Sequence, residues 1–289
     1  MKIIDLHSHW GTKRGYLLQN DEDLGQQKKI WNSEPKYDTE EEMAAYFRKN
    51  NVQTILDFAF TKNLPMNKVR EFHDYALDTQ QRFSDVILGN WLQINPNTGG
   101  EGVAEFKRCV NAGAGFIGIS ISGATSGYAA TDPVWAPFCE ASLEVGSPVL
   151  VLVGFSGTGA GQRGGKGIKL ELCHPRYVDE LAIQYPDLQI IASRPAWPWQ
   201  EEMIAVMLHK PNVWNELHGW SPKYHTESLK KELSRRLKNR VMFGADYPLF
   251  RYEKLIEDWT SLGYDEETLS RIFYKNAERL FSKVPSIKL

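Results

Sequence analysis

Residues 174–199, HPRYVDELAIQYPDLQIIASRPAWPW, contain one complete helix–strand unit. The first half has the spacing of an amphipathic helix, with Pro175 just inside its start and Pro186 just beyond its end. The apolar run at 188–192 predicts a buried strand. Because a helix joined by a short turn to a buried strand is the repeating unit of a parallel sheet, this stretch predicts an α/β protein.

The same alternation continues towards both ends of the chain. Two further segments predict amphipathic helices: DTEEEMAAYFRKNN (38–51), with Asp38 or Thr39 as its N-cap, and DEETLSRIFYKNAERLF (265–281). Apolar or β-branched runs predict strands at 2–6, 52–58, 85–92, 115–120, 148–153, 188–192, 213–216 and 240–243. Eight strands alternating with helices predict a (β/α)8 TIM barrel. An open doubly wound sheet is the alternative, but no glycine-rich turn follows the first strand.

The composition and charge give no indication of nucleic-acid or membrane binding. The chain has 289 residues, of which 42% are hydrophobic and 24% charged, and a formal net charge of −2. There is no basic stripe suited to nucleic acid and no apolar run near the ~20 residues of a membrane-spanning helix. The start, MKIIDLHSHW, has no signal-peptide pattern, and Cys109, Cys139 and Cys173 form no CxxC motif. We therefore expect a soluble cytoplasmic protein with one domain, residues 1–289.

Two long loops are expected over the barrel mouth. Residues 10–37 follow the first predicted strand, and residues 154–169, GFSGTGAGQRGGKGIK, follow the fifth. Active sites of such barrels lie at this end. The second loop is similar in composition to a phosphate-binding P-loop, but Ala160 stands where the motif needs its first glycine. It is either a flexible surface loop or a substrate loop in which Arg163 and Lys166 bind a carboxylate or a phosphate.

Histidine and aspartate side chains follow the first and the last predicted strand. In DLHSH, His7 and His9 are two residues apart and therefore share one face of a strand, where both imidazoles can bind one metal ion. In VMFGADYP (241–248), Asp246 can bind a metal or accept a proton, or it is only a turn residue. Trp10, beside His9, is expected to stack on a flat substrate ring.

DLHSH, FGADYP and the whole stretch 174–224 resemble the amidohydrolase superfamily, specifically the amidohydrolase-related branch that includes metal-dependent decarboxylases. The resemblance covers nearly the whole chain. It implies a (β/α)8 barrel and a divalent metal, usually zinc, at the mouth, with His7, His9 and Asp246 as the surviving ligands. It also implies hydrolysis or decarboxylation of small carbonyl or carboxylate compounds, and it allows a homodimer.

Two ligand positions of the branch carry other residues here. Leu152 aligns with a histidine at the end of strand five, and Arg194 stands where members have a histidine after strand six. A guanidinium has no lone pair and stays protonated, so Arg194 cannot bind a cation. It either anchors a substrate carboxylate or an oxyanion, or it only pairs with Asp246 or Glu216. His218, where the branch more often has a small residue, is a third nitrogen ligand, an acid/base with a pKa near neutrality, or a packed side chain.

Three functions follow from these residues. We favour a hydrolase of a small aromatic or carbonyl-containing acid that cuts an amide, lactone or carbon–carbon bond. It uses at most one divalent metal, Zn²⁺ by preference, on His7, His9 and Asp246, while Asp246 or His218 moves the proton. The second is a metal-independent lyase, decarboxylase or lactonase with Arg194 as the fixed cation. The third is a non-catalytic paralogue that binds a small ligand.

Overall fold

The computed structural model describes residues 1–111 and 115–284. Its centre is one parallel sheet in which eight strands follow one another in sequence order. The strands are β1 (Ile3–His9), β2 (Val52–Asp57), β3 (Ile87–Leu92), β4 (Phe116–Ile121), β5 (Val149–Leu152), β6 (Ile190–Ser193), β7 (Val213–Glu216) and β8 (Val241–Met242). The Leu6 N–H donates to the Phe243 carbonyl (3.0 Å), which links β1 to the end of β8. The sheet is therefore a nearly closed barrel, and the predicted fold class is confirmed.

Helices alternate with these strands and surround the sheet. They are α1 (Asp21–Trp31), α2 (Glu40–Lys49), α3 (Met66–Arg82), α4 (Gly100–Asn111), α5 (Gly123–Ser126), α6 (Ala136–Val145), α7 (Arg176–Gln184), α8 (Gln200–His209), α9 (Glu227–Leu233), α10 (Tyr252–Thr260), α11 (Glu266–Ser270) and α12 (Asn276–Phe281). Among the described residues, no helix has both the length and the apolar character needed to cross a membrane.

The predicted helix signals correspond to real caps. Thr39 Oγ1 accepts the Glu42 N–H (3.3 Å), and the Glu42 carboxylate accepts the Thr39 N–H (3.1 Å), so α2 begins with a complete capping box. The segment 265–281, predicted as one helix, is divided into α11 and α12 by the π-helical turn Arg271–Lys275.

β1 extends further than predicted, to His9 instead of residue 6. Its pairing with β2 changes register between Asp5 and Ser8. The buried Asp5 carboxylate compensates, because it accepts hydrogen bonds from the His7 N–H (3.0 Å), the Ala245 N–H (3.0 Å) and the Tyr252 hydroxyl (2.6 Å). Burial raises the pKa of Asp5, and these hydrogen bonds offset part of the cost of burying its charge. Asp5 holds the end of β1 against the chain that follows β8.

The core consists of two apolar clusters. The larger one fills the layer between the strands and the surrounding helices. The smaller one fills the barrel interior from Ile4 and Leu6 to Trp214 and is continued by Leu280 and Phe281 of α12. Because side chains pack the interior, the barrel is not a pore, and the free space is at the C-terminal ends of the strands. Cys109, Cys139 and Cys173 are buried and free.

Candidate active site

The C-terminal ends of the strands open into a cavity of about 410 Å³. Five residues predicted for the site line it together: His7, His9, Lys166, Arg194 and Asp246. The rest of the wall is largely apolar and includes Leu17, Leu18, Ile30, Trp31, Phe155, Trp220, Tyr224, Leu249 and Phe250. A concave, mostly apolar space with a few convergent polar groups is typical of a small-molecule site.

The two long loops predicted over the mouth both contribute to this wall, and they contact each other. The loop after β1 contains α1, which carries the cavity residues Ile30 and Trp31. Lys166, predicted to bind substrate, forms an ion pair with Asp23 of α1. Lys166 lines the cavity, but its charge is already used to join the two loops.

Two other predicted substrate residues are not on the cavity wall. Trp10 is fully buried and stacks on Phe58, with 4.8 Å between the ring centroids. The physical reason is the alternation of side chains along β1: because His9 faces the mouth, the next residue faces the surrounding helices. Arg163 is exposed and lies outside the cavity lining.

His9 and Asp246 face each other at the barrel mouth, and one Asp246 oxygen there has no hydrogen-bond partner. His9 Nδ1 lies 3.2 Å from the Asp57 carbonyl oxygen. A carbonyl only accepts, so Nδ1 carries the hydrogen, and in the neutral ring Nε2 has the lone pair. That Nε2 lies 3.1 Å from Asp246 Oδ1, a buried oxygen that has no hydrogen-bond partner. Two acceptors in contact need a positive species between them, either a proton or a metal ion.

Asp246 is held as a carboxylate. Its backbone has a φ of 61° and donates its N–H to the His7 carbonyl (2.9 Å), which directs the side chain towards the histidines. Burial by itself would raise the pKa of Asp246, but His218, His9 and Arg194 hold it well below its ordinary value. The side chain is therefore ionised at neutral pH and suited to bind a cation.

Glu216, at the end of β7, supports both His7 and His218. Its Oε1 lies 2.7 Å from His218 Nδ1 and 3.4 Å from His7 Nδ1, while its Oε2 accepts the His218 backbone N–H (2.9 Å). Burial would raise the pKa of Glu216, but the two histidines hold it well below its ordinary value. Burial opposes the charged form of His7, yet Glu216, Asp57 and Asp246 together raise the pKa of His7.

The sequence predicted Glu216 only as a partner for Arg194. A carboxylate at the end of a buried strand is the signal that could have indicated its contact with the histidines.

His218 does not have the predicted pKa near neutrality. Burial, together with the positive charge of His7, lowers the pKa of His218 to about 4 despite Glu216. Its ring stacks on His7 at 3.9 Å between centroids, and its Nε2 accepts a hydrogen bond from Arg194 Nε (3.0 Å). Both ring nitrogens are thus occupied, and His218 does not line the cavity. The structure therefore places its ring between His7 and Arg194 and in contact with both.

Two groups of described residues bring ligand atoms within 4.8 Å of one another: His7–Glu216–His218 and His73–Glu105–Cys109. The predicted trio His7, His9 and Asp246 is more widely spaced than this. In the first group, the Glu216 oxygens already contact His218 and His7. In the second group, Arg108 donates two hydrogen bonds of 2.8 Å to Glu105, so a guanidinium occupies that carboxylate. Neither compact group offers a free ligand set.

Arg194 is fixed at the cavity without pairing with a carboxylate. Its Nη1 donates to the Phe155 carbonyl (2.8 Å), and its backbone N–H donates to the Glu216 carbonyl (2.8 Å). Within the described parts of the chain, no carboxylate oxygen lies within 4.0 Å of the guanidinium, so the predicted pairing with Asp246 or Glu216 is not formed. Its φ of 85° is unusual for a residue with a side chain and typical of functional positions.

Replacing Gly244 with alanine is expected to destabilise the fold. A Cβ at this position would lie 2.3 Å from Glu216 Oε2 and 2.7 Å from His218 Cβ. Overpacking of this kind lowers the free energy of unfolding by about 1–3 kcal/mol. Urea denaturation followed by circular dichroism measures the change. The matched control is Gly25→Ala in α1, where a Cβ meets nothing within 4 Å. The control should be neutral or stabilising by up to about 1 kcal/mol; equal losses in both variants would contradict the proposed close packing.

The fold and the site together define the class: a (β/α)8 barrel with a small-molecule cavity at the C-terminal ends of its strands. The chain belongs to the amidohydrolase family, because the model of the family described as Amidohydrolase matches residues 4–283. The resemblance inferred from the sequence motifs is thereby confirmed. None of the curated proteins compared with the chain matches it.

Solved structures of decarboxylases and of a hydrolase share this fold. 5-Carboxyvanillate decarboxylase from Novosphingobium aromaticivorans, complexed with manganese and 4-hydroxy-3-methoxy-5-nitrobenzoic acid, is 15% identical over 97% of this chain and 96% of its own, with a TM-score of 0.70. 2,6-Dihydroxybenzoate decarboxylase from Rhizobium is 14% identical over 98% and 99%, with a TM-score of 0.69. A probable 2-pyrone-4,6-dicarboxylic acid hydrolase from Acinetobacter baumannii, with citric acid bound, is 16% identical over 98% and 100%, with a TM-score of 0.62.

Proposed function

We propose that this chain is an enzyme that hydrolyses a small aromatic carboxylic acid with the help of one divalent metal. The observation that carries the proposal is the placement of an unpaired guanidinium, Arg194, in the same cavity as the unsatisfied His9–Asp246 pair. The names of the solved relatives, which describe aromatic acids and a pyrone dicarboxylic acid, support the substrate class.

Arg194 would bind the substrate carboxylate. Its Nε and Nη1 are held by His218 and the Phe155 carbonyl, so the guanidinium is oriented before the substrate arrives. A planar guanidinium with free N–H groups matches a carboxylate and adds charge to each hydrogen bond. The apolar wall, including Trp31, Phe155 and Trp220, would hold a flat ring and exclude water.

His9 and Asp246 fit a divalent metal, and His7 would complete the set of three ligands only by moving closer, because the trio is more widely spaced than 4.8 Å here. The orphaned Oδ1 of Asp246 beside His9 Nε2 is an acceptor pair that a cation satisfies. His7 Nδ1 and His9 Nδ1 are each held by an oxygen acceptor, Glu216 or the Asp57 carbonyl, which is the usual outer support of ligand histidines. A divalent metal bound there would polarise a substrate oxygen and make water more acidic.

Asp246 would accept the proton of the attacking water. Its depressed pKa keeps it ionised at neutral pH, and it lines the cavity next to His9. His218 takes no part in this proton transfer in our proposal, since its Nε2 is occupied by Arg194. Its role is to fix the guanidinium and the His7 ring.

Decarboxylation is the second candidate reaction. Two of the three solved structures described above carry decarboxylase names. Loss of CO₂ needs charge stabilisation and a placed proton rather than an attacking water, so the same cavity with Arg194 as its fixed cation could support it without a metal.

Elemental analysis of the purified, untagged protein before and after chelator dialysis tests the proposal. We expect near one equivalent of zinc or manganese, and we expect turnover of aromatic acids to disappear on chelation and to return when metal is added. Product assays for released CO₂ and for ring opening or amide cleavage separate the two reactions. Turnover that survives full chelation would instead support the metal-independent alternative. Ligands that raise the melting temperature but are never consumed would support the non-catalytic one.

A further inference from the structure

Besides Arg194 and the ion-paired Lys166, the cavity wall carries another cation, Lys62, on the side opposite Arg194. Lys62 lies in the 3-10 turn Thr61–Asn63 after β2, whereas Arg194 follows β6. β2 and β6 are four strands apart in an eight-stranded barrel, so the two residues stand across the mouth from each other. Both line the cavity.

The Lys62 ammonium has no anionic partner. It donates to Gln93 Oε1 (3.1 Å) and to Thr125 Oγ1 (2.6 Å), and no carboxylate oxygen of residues 1–111 or 115–284 lies within 4.0 Å of it. An ammonium has three N–H groups, so one remains available. Burial lowers the pKa of Lys62 to about 8, which Asp57 offsets only in part. An anion in direct contact would favour the charged form and offset the cost of burying it.

The polar groups around Lys62 are oriented towards the cavity. Gln93 Nε2 donates to both Asp57 carboxylate oxygens (2.9 Å each), which turns Gln93 Oε1 towards the lysine. Ser122 lines the same part of the cavity, and its buried hydroxyl has no hydrogen-bond partner. We call the four cavity-lining residues Lys62, Gln93, Ser122 and Thr125 the distal patch. It contrasts with the apolar wall that surrounds the rest of the cavity.

We propose that the distal patch binds a second anionic group, and that the substrate is an aromatic dicarboxylate. One carboxylate contacts Arg194, and the other contacts Lys62 and the Ser122 hydroxyl. The two cations on opposite sides of the barrel mouth set the orientation of the ring between them. This inference rests on the proposed function, because it assigns the first carboxylate to Arg194.

Titration calorimetry with three probes tests the assignment: benzoate, benzene-1,3-dicarboxylate and benzene-1,4-dicarboxylate, each with the full chain as purified. We expect the protein to bind at least one dicarboxylate about ten-fold or more tightly than benzoate, as a charged hydrogen bond implies. Lys62→Met should reduce this preference to within about two-fold and leave benzoate affinity unchanged. Lys62→Arg should retain part of it. The matched control is Lys169→Met, an exposed lysine on the β5 loop outside the cavity lining, which should keep the full preference.

Each other outcome overturns the inference in a recognisable way. Equal affinity of the unmodified protein for benzoate and the dicarboxylates would contradict anion binding at the distal patch. It would not contradict carboxylate binding by Arg194 in the proposed function. Loss of the preference in Lys169→Met as well as Lys62→Met would show that it depends on the net charge of the protein and not on the distal patch. Binding of none of the three probes would contradict both the inference and the proposed function. Melting temperatures of the variants verify that each one is folded.

Discussion

The Asp246→Asn variant is expected to lose about 10³-fold in turnover and to purify with well below one equivalent of metal. The substitution keeps the size of the side chain but removes the charge beside His9 Nε2. It also puts a donor where the partnerless oxygen Asp246 Oδ1 faces the ring, since an amide can donate a hydrogen bond to the imidazole. Steady-state kinetics with a substrate found by screening, together with elemental analysis, measures both effects.

A matched variant separates this effect from a general loss of negative charge. Asp265→Asn, at the N-cap of α11, makes the same chemical change at a position where asparagine also caps a helix. We expect its turnover to stay within about two-fold of the unmodified protein. If Asp246→Asn retained full turnover, Asp246 would be neither the proton acceptor nor an essential ligand.

The Arg194→Met variant is expected to lose about 10²–10³-fold in kcat/KM for carboxylic acid substrates. The guanidinium is the cavity cation with free N–H groups next to His7 and Asp246, and it has no carboxylate partner within the described residues. Methionine retains most of the packing volume without the charge. Arg194→Lys should recover only part of the loss, because an ammonium cannot copy the two parallel hydrogen bonds of a guanidinium.

The control for this variant is Arg163→Met. Arg163 lies on the loop after β5, is exposed and does not line the cavity, so kcat/KM should change by no more than about two-fold. The metal content of Arg194→Met adds a second readout. Removal of a nearby positive charge should leave metal affinity equal or higher, because like charges repel through the same low-dielectric cavity. Full activity of Arg194→Met would contradict its assignment to the substrate carboxylate.

The barrel is predictable from the sequence because its signals are local. β4 was expected at 115–120 and is found at Phe116–Ile121, since a short run rich in isoleucine between turns has few alternatives. The Thr39 capping box also involves neighbours along the chain. By contrast, the length of β1 depends on Asp5, whose partners Ala245 and Tyr252 are about 240 residues away. No local pattern reveals such a contact.

Part of the site is predictable for a topological reason. The carboxyl ends of all parallel strands meet at one end of a barrel, so His7, His9, Arg194 and Asp246 had to approach one another once their strands were recognised. The rule locates Cα positions but not the direction of each side chain. Trp10 follows β1 immediately and yet turns into the helix layer.

The charge state and the partners of these groups depend on the tertiary structure alone. His218 has its pKa lowered to about 4 because it is buried beside His7, and Glu216 is held as a carboxylate by both rings. Lys62, on a short turn with no motif around it, faces Arg194 only because β2 and β6 are opposite strands. The sequence therefore determined the fold and the chemical groups at the barrel mouth. The structure decided which of them are buried, paired or left free, because desolvation and hydrogen bonding act through space and not along the chain.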